Sequence, residues 1–236
     1  MGERDSVQIS YFSDVLCIWA YLAQIKVDEV RSKFGDRVEV EPCYVTVFGN
    51  TAEKIGVGWQ DRGGFEGYAR HVAQIAAEFP HVTLHPDVWK ENAPATSMGC
   101  HLMLKAVQLA CDAGALPSIR LERSGERPLV EELAWRLRVA FFAELRDVSV
   151  QGVRNEVCEE LEVPIAVIES EIASGAAFAA LASDAELQKE YLVQGSPTWL
   201  LNQGRQKLYG NVGYRVIEAN VVEALAQGGK DMTSWC

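Results

Sequence analysis

The chain places a cysteine where a working thiol is expected. Cys17 lies in Asp14-Val15-Leu16-Cys17-Ile18-Trp19-Ala20, directly after the apolar run 7–12 and directly before a helical pattern. At a strand-to-helix junction, free backbone N–H groups and the positive end of the helix dipole favour the thiolate, which is the nucleophilic form. Three residues on, where such sites often carry a second cysteine, stands Ala20. A dithiol resolves its own mixed disulfide, whereas a lone thiol needs a thiol from elsewhere. Trp19 faces either the core or the groove beside Cys17. Asp14 either caps the helix or acts on the Cys17 proton, and its charge would raise the thiol pKa.

The other reactive side chains form no second constellation. The six cysteines are Cys17, Cys43, Cys100, Cys111, Cys158 and Cys236, with no Cys-x-x-Cys among them. Cys100, Cys111 and Cys158 read as small apolar residues on helices. The four histidines, His71, His81, His85 and His101, give no metal-ligand set, and no His-Glu-x-x-His occurs. Trp59 and Trp89 read as core aromatics or cleft liners, and Arg62 and Arg215 as solvated charges or carboxylate binders. Tyr214 is a further groove candidate. The Gly-rich stretch 56–64 lacks the Lys-Ser/Thr of a phosphate loop.

Composition narrows the class. The 236 residues suffice for one large domain or a domain with a sizeable insertion, and 48% hydrophobic with 23% charged residues is ordinary for a globular protein. A net charge of −11 argues against nucleic acid and anionic membranes as partners. The polar start of the chain has no signal-peptide core, and no apolar stretch approaches a membrane span. The expectation is a cytoplasmic protein with free thiols.

The elements that must hold Cys17 can be read from periodicity. Residues 7–12 read as a buried strand, 18–34 as an amphipathic helix stopped by Gly35, and 38–47 as a second strand that Pro42 either weakens or places on an edge. A helix-length connection implies a parallel β-α-β unit. Residues 49–63 read as an irregular loop carrying Trp59. Helices are expected near 65–79, 94–114, 128–146, 149–161, 164–174 and 177–190. Thr198–Leu201 and Gln206–Tyr209 flank the turn Asn202-Gln203-Gly204, and a last helix runs from Tyr214 to Ala226, ended by Gly228-Gly229. This order is that of a thioredoxin fold, an α/β fold, with a large all-helical insertion. The expected division is 1–50 with 191–236 as the thioredoxin-like domain and 51–190 as the inserted subdomain.

Three stretches carry a resemblance: Asp14 through Tyr21, Gly195-Ser196-Pro197-Thr198 before the third strand, and Tyr209-Gly210-Asn211 opening the last helix. The chain resembles the DsbA-like branch of the thioredoxin superfamily, which includes 2-hydroxychromene-2-carboxylate isomerases and kappa-class glutathione transferases. The resemblance implies that Pro197 is cis and faces Cys17. It implies that the Ser196 backbone pairs with an extended peptide or with the cysteinyl unit of glutathione, and that Asn211 lies near the γ-glutamyl end. The chain departs from the pattern in three places. Ala20 replaces the second cysteine, Cys17 stands where the isomerases and kappa transferases usually carry Ser, and Val212 replaces an acidic residue.

The leading expectation is a monothiol, glutathione-linked thiol-disulfide oxidoreductase with Cys17 as nucleophile. It would use glutathione as co-substrate, act on a small-molecule or peptide thiol or disulfide, and need no metal. The alternatives are a glutathione-dependent transferase or isomerase acting on a small electrophile, a dithiol enzyme resolved by Cys43 or Cys236, and a redox-inert peptide-binding module. A homodimer is compatible with all of them.

Overall fold

The structure, a computed structural model, describes residues 6–122 and 125–226. Strand β1 (Val7–Ser13) leads into helix α1 (Ile18–Phe34) and strand β2 (Val38–Tyr44). Helices α2 (Gly64–Ala76) and α3 (Met98–Asp112) follow, then a hairpin of β3 (Ile119–Glu122) and β4 (Gly125–Pro128). Helices α4 (Leu129–Phe142), α5 (Gln151–Glu160), α6 (Ile165–Ala173) and α7 (Ala176–Glu190) complete the helical block. Strands β5 (Thr198–Leu201) and β6 (Gln206–Tyr209) precede helix α8 (Tyr214–Ala226). The main sheet has the order β2-β1-β5-β6. β1 and β2 run parallel, from Val7↔Val38 to Ser13↔Tyr44, and β5 is antiparallel to β1, with Phe12 opposite Thr198.

The alternating pattern of β1 explains how the sheet is covered. Val7, Ile9 and Tyr11 face Val27, Val30 and Phe34 of α1 and Ile217 and Val221 of α8. Phe12 belongs to the opposite face, with Cys43, Val45, Val193 and Leu200. Gly35, at φ 54°, ends α1 in a conformation that other residues adopt only with strain. Pro42 lies in an edge strand, where its missing N–H costs no ladder bond. The helical block forms the largest core, around Leu104 and Val107 of α3 and Leu133, Leu137 and Phe141 of α4.

Charged residues are buried where helices meet the sheet. Lys105 on α3 pairs with Asp184 on α7 at 2.8 Å, and both side chains are sealed from solvent. Asp184 also accepts the Tyr44 N–H at 2.7 Å, and Lys105 donates to the Pro42 carbonyl at 3.2 Å. The pair thus fastens two helices to the end of β2. Arg138 on α4, 2% exposed, donates to Gln24 Oε1 on α1 and to Ser13 Oγ at the end of β1, each at 3.0 Å. A buried charge is tolerable only when partnered in this way.

Two expectations need correction. The insertion is helical in bulk but also carries the β3–β4 hairpin, paired from Ile119↔Pro128 to Glu122↔Gly125. The strands are short, and a four-residue alternation of apolar and charged residues is a weak signal beside long helical patterns. The stretch expected to be an irregular loop contains a π-helix, Ala52–Val57, and a 3-10 turn, Gln60–Arg62. Gly58 permits the wide turn, because a Cβ there would lie 2.6 Å from the Lys54 carbonyl oxygen. Gly67 plays the same part at the start of α2, where a Cβ would lie 1.8 Å from the Arg62 carbonyl oxygen. The Gly228-Gly229 stop and Cys236 lie outside the described residues.

Candidate active site at Cys17

Cys17 is the N-cap residue of α1, with extended backbone at φ −84° and ψ 116°. Its N–H donates to the Asp14 carbonyl at 3.1 Å, and its own carbonyl accepts the N–H groups of Ala20 and Tyr21 at the same distance. The helix therefore begins at the thiol. The Ser196–Pro197 peptide bond is cis, and the Cys17 thiol donates to the Ser196 carbonyl at 3.3 Å. Ser196 Oγ accepts the Asp14 N–H at 2.9 Å. The two loops are therefore joined on both sides of the sulfur. Further on, the Gly210 N–H donates to the Pro197 carbonyl at 2.8 Å, which fixes the segment entering α8.

The thiol is only 5% exposed, and burial pushes its pKa above the ordinary thiol value. The Ser196 side chain and the Ala20 and Trp19 N–H groups act in the opposite sense, while the Asp14 charge adds to the rise. The helix terminus was expected to favour the thiolate. In this resting state desolvation outweighs it, because the sulfur is covered.

Asp14 is fully buried and does not cap α1. Oδ1 accepts the Leu16 N–H at 2.9 Å. Oδ2 accepts the Phe48 N–H at 2.8 Å and the Ser97 hydroxyl at 2.9 Å. His101 Nε2, 3.6 Å from Oδ1, accepts the Val15 N–H at 3.2 Å. Asp14 thus ties the Cys17 loop to the segment after β2 and to the start of α3. Ser97, His101 and the Phe48 N–H escaped the sequence reading. The only local signal was an Asp just before the thiol.

The other candidates are dispersed around this centre. Trp19 is half-buried and meets the Phe79 ring edge-on at 6.3 Å. Asn211 Oδ1 accepts from Lys26 Nζ at 2.5 Å, so this oxygen is already engaged within the chain. Trp89 is fully buried and fills core. Trp59 is half-buried, lies 5.0 Å from the Tyr68 ring, and has the Arg62 guanidinium stacked 5.0 Å away. Tyr214 stands at the start of α8, and Arg215 is exposed. Cys43 belongs to the hydrophobic cluster on the other sheet face, separate from that of Cys17. Among the described residues no group of three or more His, Cys, Asp or Glu is arranged to hold a metal ion, and no single helix is long and apolar enough to cross a membrane.

No protein-family model matches the chain, and no curated protein matches it. Solved structures do. A protein of Streptomyces coelicolor assigned as a DsbA oxidoreductase superposes with a TM-score of 0.67 at 17% identity, covering 98% of this chain and 93% of that one. The cytosolic disulfide reductase DsbM of Pseudomonas aeruginosa gives 0.59 at 19% identity, covering 93% and 95%, and has also been solved with GSH. A 2-hydroxychromene-2-carboxylate isomerase gives 0.59 at 15% identity, covering 96% and 100%. At these identities the likeness defines a fold. It is the thioredoxin fold of DsbA-like proteins, interrupted by a helical insertion.

Proposed function

We propose that the protein is a monothiol, glutathione-linked thiol-disulfide oxidoreductase of the cytoplasm, with Cys17 as its nucleophile. The carrying observation is the placement of the Cys17 thiol at the start of α1, hydrogen-bonded to the Ser196 carbonyl, with Ala20 where a resolving thiol would stand. Likeness to DsbM, which has been solved with GSH, supports the choice of thiol. The Cys17 thiolate attacks the glutathione sulfur of a mixed disulfide RS–SG and expels RS⁻. Glutathione thiolate then attacks the glutathione sulfur bound to Cys17, releasing oxidised glutathione and the Cys17 thiolate. The net exchange converts RS–SG and GSH to RSH and GSSG, so electrons and atoms balance without an internal disulfide. Ser196 and Pro197 would orient the incoming sulfur, and Trp19 would line its approach. Asn211 would contribute to the glutathione site only through its amide nitrogen, since its oxygen holds Lys26.

A second reading is a glutathione-dependent transferase or isomerase. The burial that keeps the Cys17 thiol protonated favours it. A neutral thiol would donate to a bound glutathione thiolate, which would itself add to a small electrophile.

Intact and peptide mass spectra after incubation with oxidised glutathione separate the two. The oxidoreductase reading expects a glutathione adduct on Cys17, removed by reduced glutathione and absent from Cys17→Ser. Absence of any adduct on Cys17 overturns it in favour of the transferase or isomerase reading.

A further inference from the structure

The partner of His101 fixes where its imidazole carries the proton. Nε2 accepts the Val15 N–H at 3.2 Å and lies 3.6 Å from Asp14 Oδ1, too far for a hydrogen bond. A backbone N–H only donates, so Nε2 holds a lone pair and the proton sits on Nδ1. A ring protonated on both nitrogens would turn one N–H against another. Nδ1 is buried and has no hydrogen-bond partner among the described residues. The Asp14 carboxylate does not need the ring, since it already accepts the Leu16 N–H, the Phe48 N–H and the Ser97 hydroxyl.

The ring is placed by its surroundings. It stacks on Tyr44, with centroids 5.2 Å apart and planes at 20°, and the Tyr44 N–H is held by Asp184 Oδ2 at 2.7 Å. The start of α3 is fixed by the Ser97 N–H on the Phe48 carbonyl at 3.0 Å, and the His101 N–H follows on the Ser97 carbonyl at 3.1 Å. In the turn before α1, the Asp14 N–H goes to Ser196 Oγ, the Leu16 N–H to Asp14 Oδ1 and the Cys17 N–H to the Asp14 carbonyl. The Val15 N–H completes the set through His101. Val15 and His101 are both 0% exposed, so solvent cannot stand in for the imidazole.

We propose that His101 is a positioning residue for Cys17: as a neutral imidazole protonated on Nδ1, it holds the Val15 N–H and so keeps the turn that delivers the thiol to the start of α1. The inference rests on the thiol-exchange reading above, in which the Cys17 sulfur must become an anion. The Ala20 and Trp19 N–H groups that favour the anion act on the sulfur only while Cys17 stays at the helix cap. A buried Val15 N–H without an acceptor is costly, and the turn relieves that cost by shifting. The shift carries Cys17 away from those donors. His101 itself touches no substrate.

Nitrogen NMR of the wild-type protein at neutral pH reads the tautomer. An unprotonated Nε2 and a protonated Nδ1 are expected, and a proton on Nε2 overturns the inference. Two variants read the consequence. His101→Leu removes the acceptor, whereas His101→Gln keeps an amide oxygen that can reach the place of Nε2. Iodoacetamide alkylation of Cys17, followed by peptide mass spectrometry, should be about tenfold slower at neutral pH in His101→Leu, with its pH profile moved upward. In His101→Gln it should return to within about twofold of wild type. Equal slowing in both variants, or none in either, overturns the inference. If His101→Leu does not fold, the wild-type tautomer and the rate of His101→Gln decide. If wild-type Cys17 takes iodoacetamide but forms no adduct with oxidised glutathione, the glutathione reading fails, while the contrast between the variants still decides the role of His101.

Discussion

Cys17 and Cys43 are both buried, yet their surroundings oppose one another. Burial raises both pKa values, that of Cys43 to about 12. At Cys17 the next influences are hydrogen bonds from the Ser196 side chain and the Ala20 N–H, which favour the anion. At Cys43 the next influence is the Asp184 charge, which opposes it. Cys43 packs on the far face of the sheet, with Phe12 and Leu200, beside the buried Lys105–Asp184 pair. Burial alone therefore does not set these two thiols apart. Donors aimed at the sulfur do.

The contrast breaks most visibly in reactivity. Cys17→Ser should abolish adduct formation with oxidised glutathione, while Cys43→Ser leaves it intact; a mass spectrum showing the adduct on Cys43 would reverse the assignment. On the Cys43 side, Lys105→Met leaves Asp184 buried without its counter-charge and should cost about 3–5 kcal/mol in a denaturant titration. That loss should come without a change in the Cys17 alkylation profile. On the Cys17 side, Ser196→Ala deprives the Asp14 N–H of its acceptor, at about 1 kcal/mol. It should also move iodoacetamide alkylation of Cys17 to higher pH, because a group favouring the anion is lost.

The thiols that only pack should be visible in a pH dependence of stability. Cys43, Cys100 and Cys158 are each raised to about 12, against about 8.5 in the unfolded chain. Above that lower value the unfolded state sheds protons that the folded state keeps, so stability falls as pH rises toward the folded values. The melting temperature should be lower at about pH 10 than at about pH 8; an unchanged value would mean that these thiols ionise freely in the fold.

Local punctuation made much of the fold legible. Gly35 marked the end of α1, the Asn202-Gln203-Gly204 turn located the β5–β6 hairpin, and α8 runs over Tyr214–Ala226 as its pattern implied. Cys17 was legible because a thiol between a strand and a helix has a recognisable setting. The residues around it were not. His101 and Lys105 lie on α3, and Arg138 and Asp184 lie where a charged residue on an amphipathic helix ordinarily faces water. Only tertiary packing turns them inward.

The hydrogen bond from the Cys17 thiol to the Ser196 carbonyl has one more consequence. It exists only while sulfur keeps its proton. Once the proton leaves, a negative sulfur faces the negative end of a carbonyl dipole, and the contact that joined the two loops becomes a repulsion. Under the proposed function, arming the nucleophile and unlatching the acceptor that covers it are then a single event, and the key is one proton.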